Sequence, residues 1–308
     1  MTQRLATRQD IRRHPDSPID GPLVKGPETK LSPHYAAPDH RPPLHHIEAG
    51  EGETVLLLHG SAGTSALWRQ AMKSLQPLYR AAAPDLIGYG RSPAWPAESP
   101  YGIDSEIRAV EALLPSYAEK YHLVGHSYGG VVALMLALAN PVRVRTLTLI
   151  EPVFFAALRY SGLEAAFHRF RAVRDAFLLA LAGDGPESAM RAFVDFWAGE
   201  GAWQGASATQ RSRILQSADK IALDWRGAFA AGADLHRLAA LGARTLLLRG
   251  DRSPEPMLRL VDALHRLMPG SRHIVVAGAG HSLPATHASD MTRAMMCHFH
   301  VESERRLR

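Results

Sequence analysis

The chain has 308 residues, 46% of them hydrophobic, which is enough for a sizeable buried core in one large domain or two small ones. Its 35 basic and 30 acidic residues leave a net charge of +5, mild for this length and scattered rather than striped, which argues against a nucleic-acid-binding surface. The one cysteine, Cys297, excludes an internal disulfide, suits a reducing compartment, and is expected to be a small apolar filler on the last helix.

No apolar run approaches the roughly 20 residues that span a bilayer, and the N-terminus lacks the apolar core of a secretory signal. The arginine-rich opening "MTQRLATRQDIRR" has some character of a transit peptide. Asp10 and the prolines that follow argue against a long amphipathic helix there, so a cytoplasmic location is expected. Residues 1–43 form a proline-rich extension ("HPDSPIDGPLVKGP", "SPHYAAPDHRPP") with no periodic apolar segment, predicted to be poorly ordered. Among its histidines and those just after it, His34, His40, His45 and His46 have no cysteine or carboxylate partners at metal-ligand spacings. They read as solvated side chains, and neither a metal nor an organic cofactor is expected.

From Leu44 onward the pattern changes. The runs "TVLLLHG", "YRAAAPDL", "YHLVGHS", "RVRTLTLIEP", "ARTLLLRGD" and "SRHIVVAG" are predicted strands, and helices are predicted at about 65–76, 104–119, 128–139, 256–268 and 288–299. Strands that are apolar throughout, rather than alternating, are buried on both faces of a parallel sheet, so the fold class is α/β. Between Pro152 and about Leu241 the alternation stops. The segment is rich in Ala, Arg, Phe and Trp at helical spacing and reads as a helical insertion, residues 152–241, dividing a core of 44–151 and 242–308.

The stretch "HLVGHSYGGVV" places Ser127 between a buried strand and an apolar helix. Chance alone produces G-x-S-x-G often in a chain with 25 glycines, so the context carries the inference. A sharp strand-to-helix turn presents a serine in a strained conformation, and flanking glycines let strand and helix approach. The amide of Tyr128 then stands at a helix N-terminus, suited to an oxyanion. In "LLLHGSAGTSALW", the loop after His59-Gly60 offers the amide of Ser61 as a second donor. His126 is expected to point away from the attack site in a supporting role, and His287 and His298 to be surface or helix residues.

With "HGSAGTSALW", "DLIGYGRS", "GHSYGG" and "GAGHSLPATH" in that order, each after its own strand, residues 44–300 resemble the α/β-hydrolase superfamily. The resemblance implies a mostly parallel sheet of about eight strands flanked by helices, a helical cap inserted after strand six, and a nucleophile–acid–histidine triad. The helical segment from Pro152 falls where the cap belongs. The first strand, expected before Leu44, is not evident in the proline-rich arm. His281, in the glycine-rich loop after the last predicted strand, is the expected base. For the acid, the superfamily's usual turn reads "RGDRSPEP" here, with Ser253 at the customary position and Asp251 two residues earlier. Glu151, at the end of "LTLIEP", is the alternative and is preferred, since some members carry the acid after the sixth strand. Asp251 reads otherwise as a turn cap, and Glu151 as a salt-bridged strand end. Asp85 and its loop are expected to brace the oxyanion side.

The insertion is rich in aromatic residues, among them Phe193, Trp197 and Trp225, some of which should line a mainly apolar cleft. Arg159, Arg169, Arg171 and Arg174 read as a solvated face before a carboxylate receptor. The expected activity is therefore serine hydrolysis of a small or medium acyl compound with a partly apolar acyl or alcohol group, foremost a carboxylic ester. Carbon–carbon bond hydrolysis, acyl transfer and perhydrolysis use the same residues. A ligand-binding or signalling protein with a vestigial triad is the rival from another class. The oligomeric state is not legible.

Overall fold

The computed structural model describes residues 43–96, 99–114 and 119–305. Almost all of the N-terminal extension, with His34 and His40, thus lies outside the described residues. In chain order the first elements are β1 (His46–Ala49), β2 (Glu53–Leu58), α1 (Arg69–Leu75), β3 (Tyr79–Pro84), α2 (Ile103–Glu111), β4 (Tyr121–His126), α3 (Ser127–Ala139) and β5 (Val144–Ile150). Seven helices follow without a strand: α4 (Ala156–Tyr160), α5 (Glu164–Gly183), α6 (Pro186–Ala198), α7 (Ala202–Gly205), α8 (Ala208–Leu215), α9 (Ala218–Ala230) and α10 (Leu235–Leu241). The chain closes with β6 (Thr245–Gly250), α11 (Glu255–Leu267), β7 (Arg272–Val276), α12 (Leu283–Thr286) and α13 (Ala288–Arg305).

The strands form one sheet in the order β1-β3-β2-β4-β5-β6-β7, parallel throughout except for the antiparallel edge pair β1 and β3. The described residues thus hold seven strands rather than about eight, and the helical segment follows the fifth of them. β1 itself escaped the sequence pattern because it is four residues long, "HIEA", and mixes charge with apolar side chains at an edge. The central strands behave as their composition requires. Val55, Leu56, Leu57 and Leu58 are all buried, alternately against one helical layer and the other.

Helices cover both faces. α1 and α13 pack on one side with Trp68, Leu75, Met291 and Phe299. α2, α3 and α11 lie on the other, in a core that continues into the insertion through Phe155, Phe170 and Trp225. α11 shows why such segments are helical: Met257, Leu260, Val261 and Leu264 recur at spacings of three and four and form its buried stripe. In α13 the buried residues include Met291, Thr292, Met295, His298 and Phe299, so Cys297 falls on the outer face and is exposed, contrary to the expected filler. Among the described residues no helix is long and apolar enough to cross a membrane.

Sheet register brings the chain's chemistry together. His126 pairs with Ile150, and Ile150 with Leu248, so Ser127 and Glu151 leave adjacent strands at the same height. The loops after β2 and β7 emerge from that same carboxyl edge, where open α/β sheets form clefts.

Candidate active site

Ser127 is the first residue of α3 and has φ +53°, in the left-handed region. Such a turn works only if strand and helix nearly touch. A Cβ on Gly125 would lie 2.2 Å from the carbonyl of Gly129, and one on Gly129 would lie 2.3 Å from the carbonyl of His59. Those two glycines are therefore a steric requirement of the turn.

The Ser127 hydroxyl stands 3.0 Å from Nε2 of His281, and Nδ1 of His281 is 2.7 Å from Oε2 of Glu151. With Nδ1–H donating to the carboxylate, Nε2 is left free to accept the serine proton. Glu151 is fully buried, and its other oxygen accepts from the Gly250 amide at 2.7 Å and the Ser253 hydroxyl at 2.5 Å. Burial works against its charge, yet the bonds from His281, Ser253 and Gly250 hold its pKa below the usual carboxylate value. Asp251 does not reach this line. Its Oδ1 accepts from the Gly278 amide at 2.7 Å and so caps the turn after β7. Ser253, which occupies the position customary for an acid, instead donates to Glu151.

His126 supports from beneath: its Nε2–H donates to the main-chain carbonyl of His281 at 2.9 Å. Burial lowers its pKa to about 3, so it is neutral near pH 7. His59 fixes the loop after β2. Nδ1–H donates to the Gly60 carbonyl at 2.8 Å, while Nε2 accepts from the Leu86 amide at 2.9 Å, and burial lowers the pKa to about 4. Asp85 accepts from the amides of Ser65 at 2.6 Å and Arg91 at 3.0 Å. His45 donates to the same carboxylate at 3.0 Å, so it is a partner of this brace rather than a solvated side chain. His46 opens β1. His298 is a helix residue, but it is buried and bonds the Arg244 carbonyl.

Ser61 and Tyr128 line one cavity with Ser127. As a first-turn residue of α3, Tyr128 has an amide without a carbonyl partner in its own helix. The remaining walls are mostly apolar: Val153, Phe193, Trp197, Ile221, Trp225 and Ala228, with Asp224 the exception. This space is small, about 20 Å³, and the Trp197 ring is stacked on His281 with centroids 4.0 Å apart. A wider cavity of about 710 Å³ lies on the other side, reaching Trp197, His281, Arg169 and Arg252. Ligand sites commonly offer ~300 Å³ or more, so the space beside Ser127 is narrow as it stands. Of the four arginines singled out from the sequence, Arg174 pairs with Asp175, Arg159 lies over Phe167, and none lines the cavity at Ser127. The described residues contain no cluster of three or more His, Cys, Asp or Glu side chains able to hold a metal ion.

A buried polar network was not foreseen. On α9, Lys220 and Asp224 are one turn apart and contact each other. Asp224 Oδ2 accepts from the Ser61 hydroxyl at 2.6 Å and the Tyr89 hydroxyl at 2.5 Å. Lys220 reaches Glu106 at 3.0 Å and donates to Tyr101 at 2.9 Å, whose hydroxyl lies 2.9 Å from that of Tyr128. Burial raises the pKa of Glu106 despite Lys220 beside it. For Lys220 burial acts against the charge, but Asp224 and Glu106 outweigh it and raise the pKa. A Lys–Asp pair at this spacing in "SADKIALDWRG" reads in isolation as a solvated helix face, which is why the sequence does not disclose it.

A family model described as alpha/beta hydrolase fold matches residues 53–288. The chain is 42% identical over 99 residues to Lipase LipV of Mycobacterium tuberculosis, covering 32% of this chain and 36% of that protein. It is 36% identical over 116 residues to a pimeloyl-[acyl-carrier protein] methyl ester esterase of Aeromonas hydrophila, covering 37% of this chain and 44% of that one. The matched stretch thus spans less than half the length of either relative. Among solved structures, MenH from S. aureus superposes with a TM-score of 0.67 at 18% identity, covering 84% of this chain and 99% of that one. Strand order, the turn at Ser127 and the match over most of the chain agree, and the protein belongs to the α/β-hydrolase fold family.

Proposed function

We propose that the protein is a serine hydrolase that cleaves a small or medium acyl compound, foremost a carboxylic ester, through an acyl-enzyme. The observation that carries this reading is the continuous line from the Ser127 hydroxyl through His281 to Glu151, at 3.0 Å and 2.7 Å. Ser127 Oγ bonds to the ester carbonyl carbon as its proton passes to Nε2 of His281. The carbonyl oxygen takes up negative charge facing the amides of Ser61 and Tyr128. Collapse of this adduct breaks the bond to the leaving oxygen, which takes the proton from His281 and departs as the alcohol. Water then repeats the sequence on the acyl-enzyme, His281 accepting its proton, and the carboxylic acid leaves with Ser127 restored. Glu151 keeps Nδ1 protonated and stabilises the imidazolium at each stage.

Helices α4–α10 act as a cap, and the side chains of Val153, Phe193, Ile221 and Trp225 favour a partly apolar acyl or alcohol group. Rapid mixing with p-nitrophenyl butyrate tests the reading. The expected result is release of p-nitrophenolate in a burst or a linear phase that continues for many turnovers and is absent in Ser127→Ala. Folded wild-type protein that releases none, or equal release by Ser127→Ala, contradicts it.

A further inference from the structure

We infer that Lys220 and Asp224 on α9 are positioning residues that assemble the oxyanion-binding amides, so that the cap holds both donors in place. This rests on the serine-hydrolase reading.

The inference follows from what the two amide donors do with their side chains. Ser61 comes from the loop after β2 and Tyr128 from the first turn of α3, yet both side chains run into the same buried network, which includes one cap helix. Ser61 does so directly, through its 2.6 Å bond to Asp224. Tyr128 does so through Tyr101, which accepts from Lys220 at 2.9 Å and donates to Glu106 at 2.7 Å. The helix is shaped for this contact: a Cβ on Gly227 would lie 2.9 Å from the Tyr128 hydroxyl. Lys220, Asp224 and Glu106 are all more than nine-tenths buried.

Buried ion pairs are a poor source of net stability, because desolvation consumes most of what their attraction returns. They do impose one geometry, since any other leaves a charge unpaired. Here that geometry governs the Ser61 loop, whose next residue, Ala62, sits at φ +59°. A non-glycine residue keeps such a conformation only where its surroundings hold it there, and the Ser61–Asp224 bond is an adjacent restraint beside the Gly63–Gly60 main-chain bond. A displacement of α9 would break the Ser61–Asp224 bond and release the Ser61 loop, so this donor is held only while α9 stays seated on the core.

The test is a double-mutant cycle of Ser61→Ala, Asp224→Asn and the pair, with kcat for p-nitrophenyl butyrate normalised to sites titrated by a fluorophosphonate. Each single variant is expected to lower kcat by about tenfold with KM within about twofold, because the oxyanion forms only after binding. The pair should lose no more than about twofold beyond Ser61→Ala, since both changes cut one connection. Phosphonylation rate should fall in parallel. Normalisation removes any loss due only to misfolding, and Ser61→Ala, a small change in a loop, serves if Asp224→Asn does not fold. Unchanged kcat per titrated site in a folded single variant overturns the inference, as do losses that multiply in the pair. A wild type that takes no fluorophosphonate overturns the hydrolase reading, and the inference with it.

Discussion

Ser127, Glu151 and Ala62 are, among the described residues, the non-glycine positions at positive φ, with values of +53°, +44° and +59°. Each such residue costs on the order of 1–3 kcal/mol; here Ser127 lines the cavity, Glu151 bonds His281, and Ala62 follows the cavity residue Ser61. The strain aims side chains and amides that a relaxed backbone would turn elsewhere. At Glu151 it directs the carboxylate under His281, while Asp251, one strand over, spends its carboxylate on the Gly278 amide. Glu151→Gln is therefore expected to lower kcat by on the order of 10³-fold, because the amide can stabilise neither the tautomer nor the imidazolium. Asp251→Asn should stay within about threefold, as a turn cap would. Steady-state kinetics of the two variants decides, and the reverse ranking would move the acid to Asp251. The residues proposed as nucleophile and base stand out in the sequence because each lies in a motif tied to its own strand. The preference for Glu151 over Asp251 was a narrow one there, because it depends on which of two neighbouring loops turns toward a third.

At the scale of elements, the insertion is joined by aromatic side chains. Phe170 on α5 is fully buried, with its ring 4.7 Å from Phe155, 6.1 Å from Phe196 and 6.0 Å from Trp197. It thus connects α5, α6 and the segment leaving β5, and Trp197 carries the contact on to His281. Phe170→Ala is expected to destabilise by about 3–5 kcal/mol in urea unfolding, the range for a large cavity in a packed core. A loss below about 1 kcal/mol would mean that these helices do not pack as described. Helix content in this region was legible from spacing alone. Which residues on α9 face inward was not, since Lys220 and Asp224 are charged residues whose burial depends on Tyr89, Tyr101 and Glu106, all distant in sequence.

For the whole molecule, pH links the site to stability. His59 and His126 have pKa values of about 4 and about 3 in the folded state, against 6.5 when exposed. Below pH 6.5 the unfolded chain takes up protons that the folded chain refuses, so stability present above that pH is lost as pH falls. Each histidine contributes a slope of up to about 1.4 kcal/mol per pH unit. Depressed carboxylates such as Glu151 add their own loss only at lower pH, below their unfolded pKa. Between pH 6.5 and about 4.5 the slope of unfolding free energy should therefore shrink in His126→Gln by up to that amount; an unchanged slope would contradict a neutral, buried His126. The α/β class and six of the seven described strands could be read from apolar runs, whereas β1 could not, being short and at an edge.

Activation of Ser127 as a nucleophile can be tested without knowing the substrate. Wild type and Ser127→Ala should be treated with a fluorophosphonate and their intact masses compared. One adduct is expected on wild type and none on Ser127→Ala. Folded wild type with no adduct, or an adduct that persists in Ser127→Ala, would rule out Ser127 as the activated nucleophile.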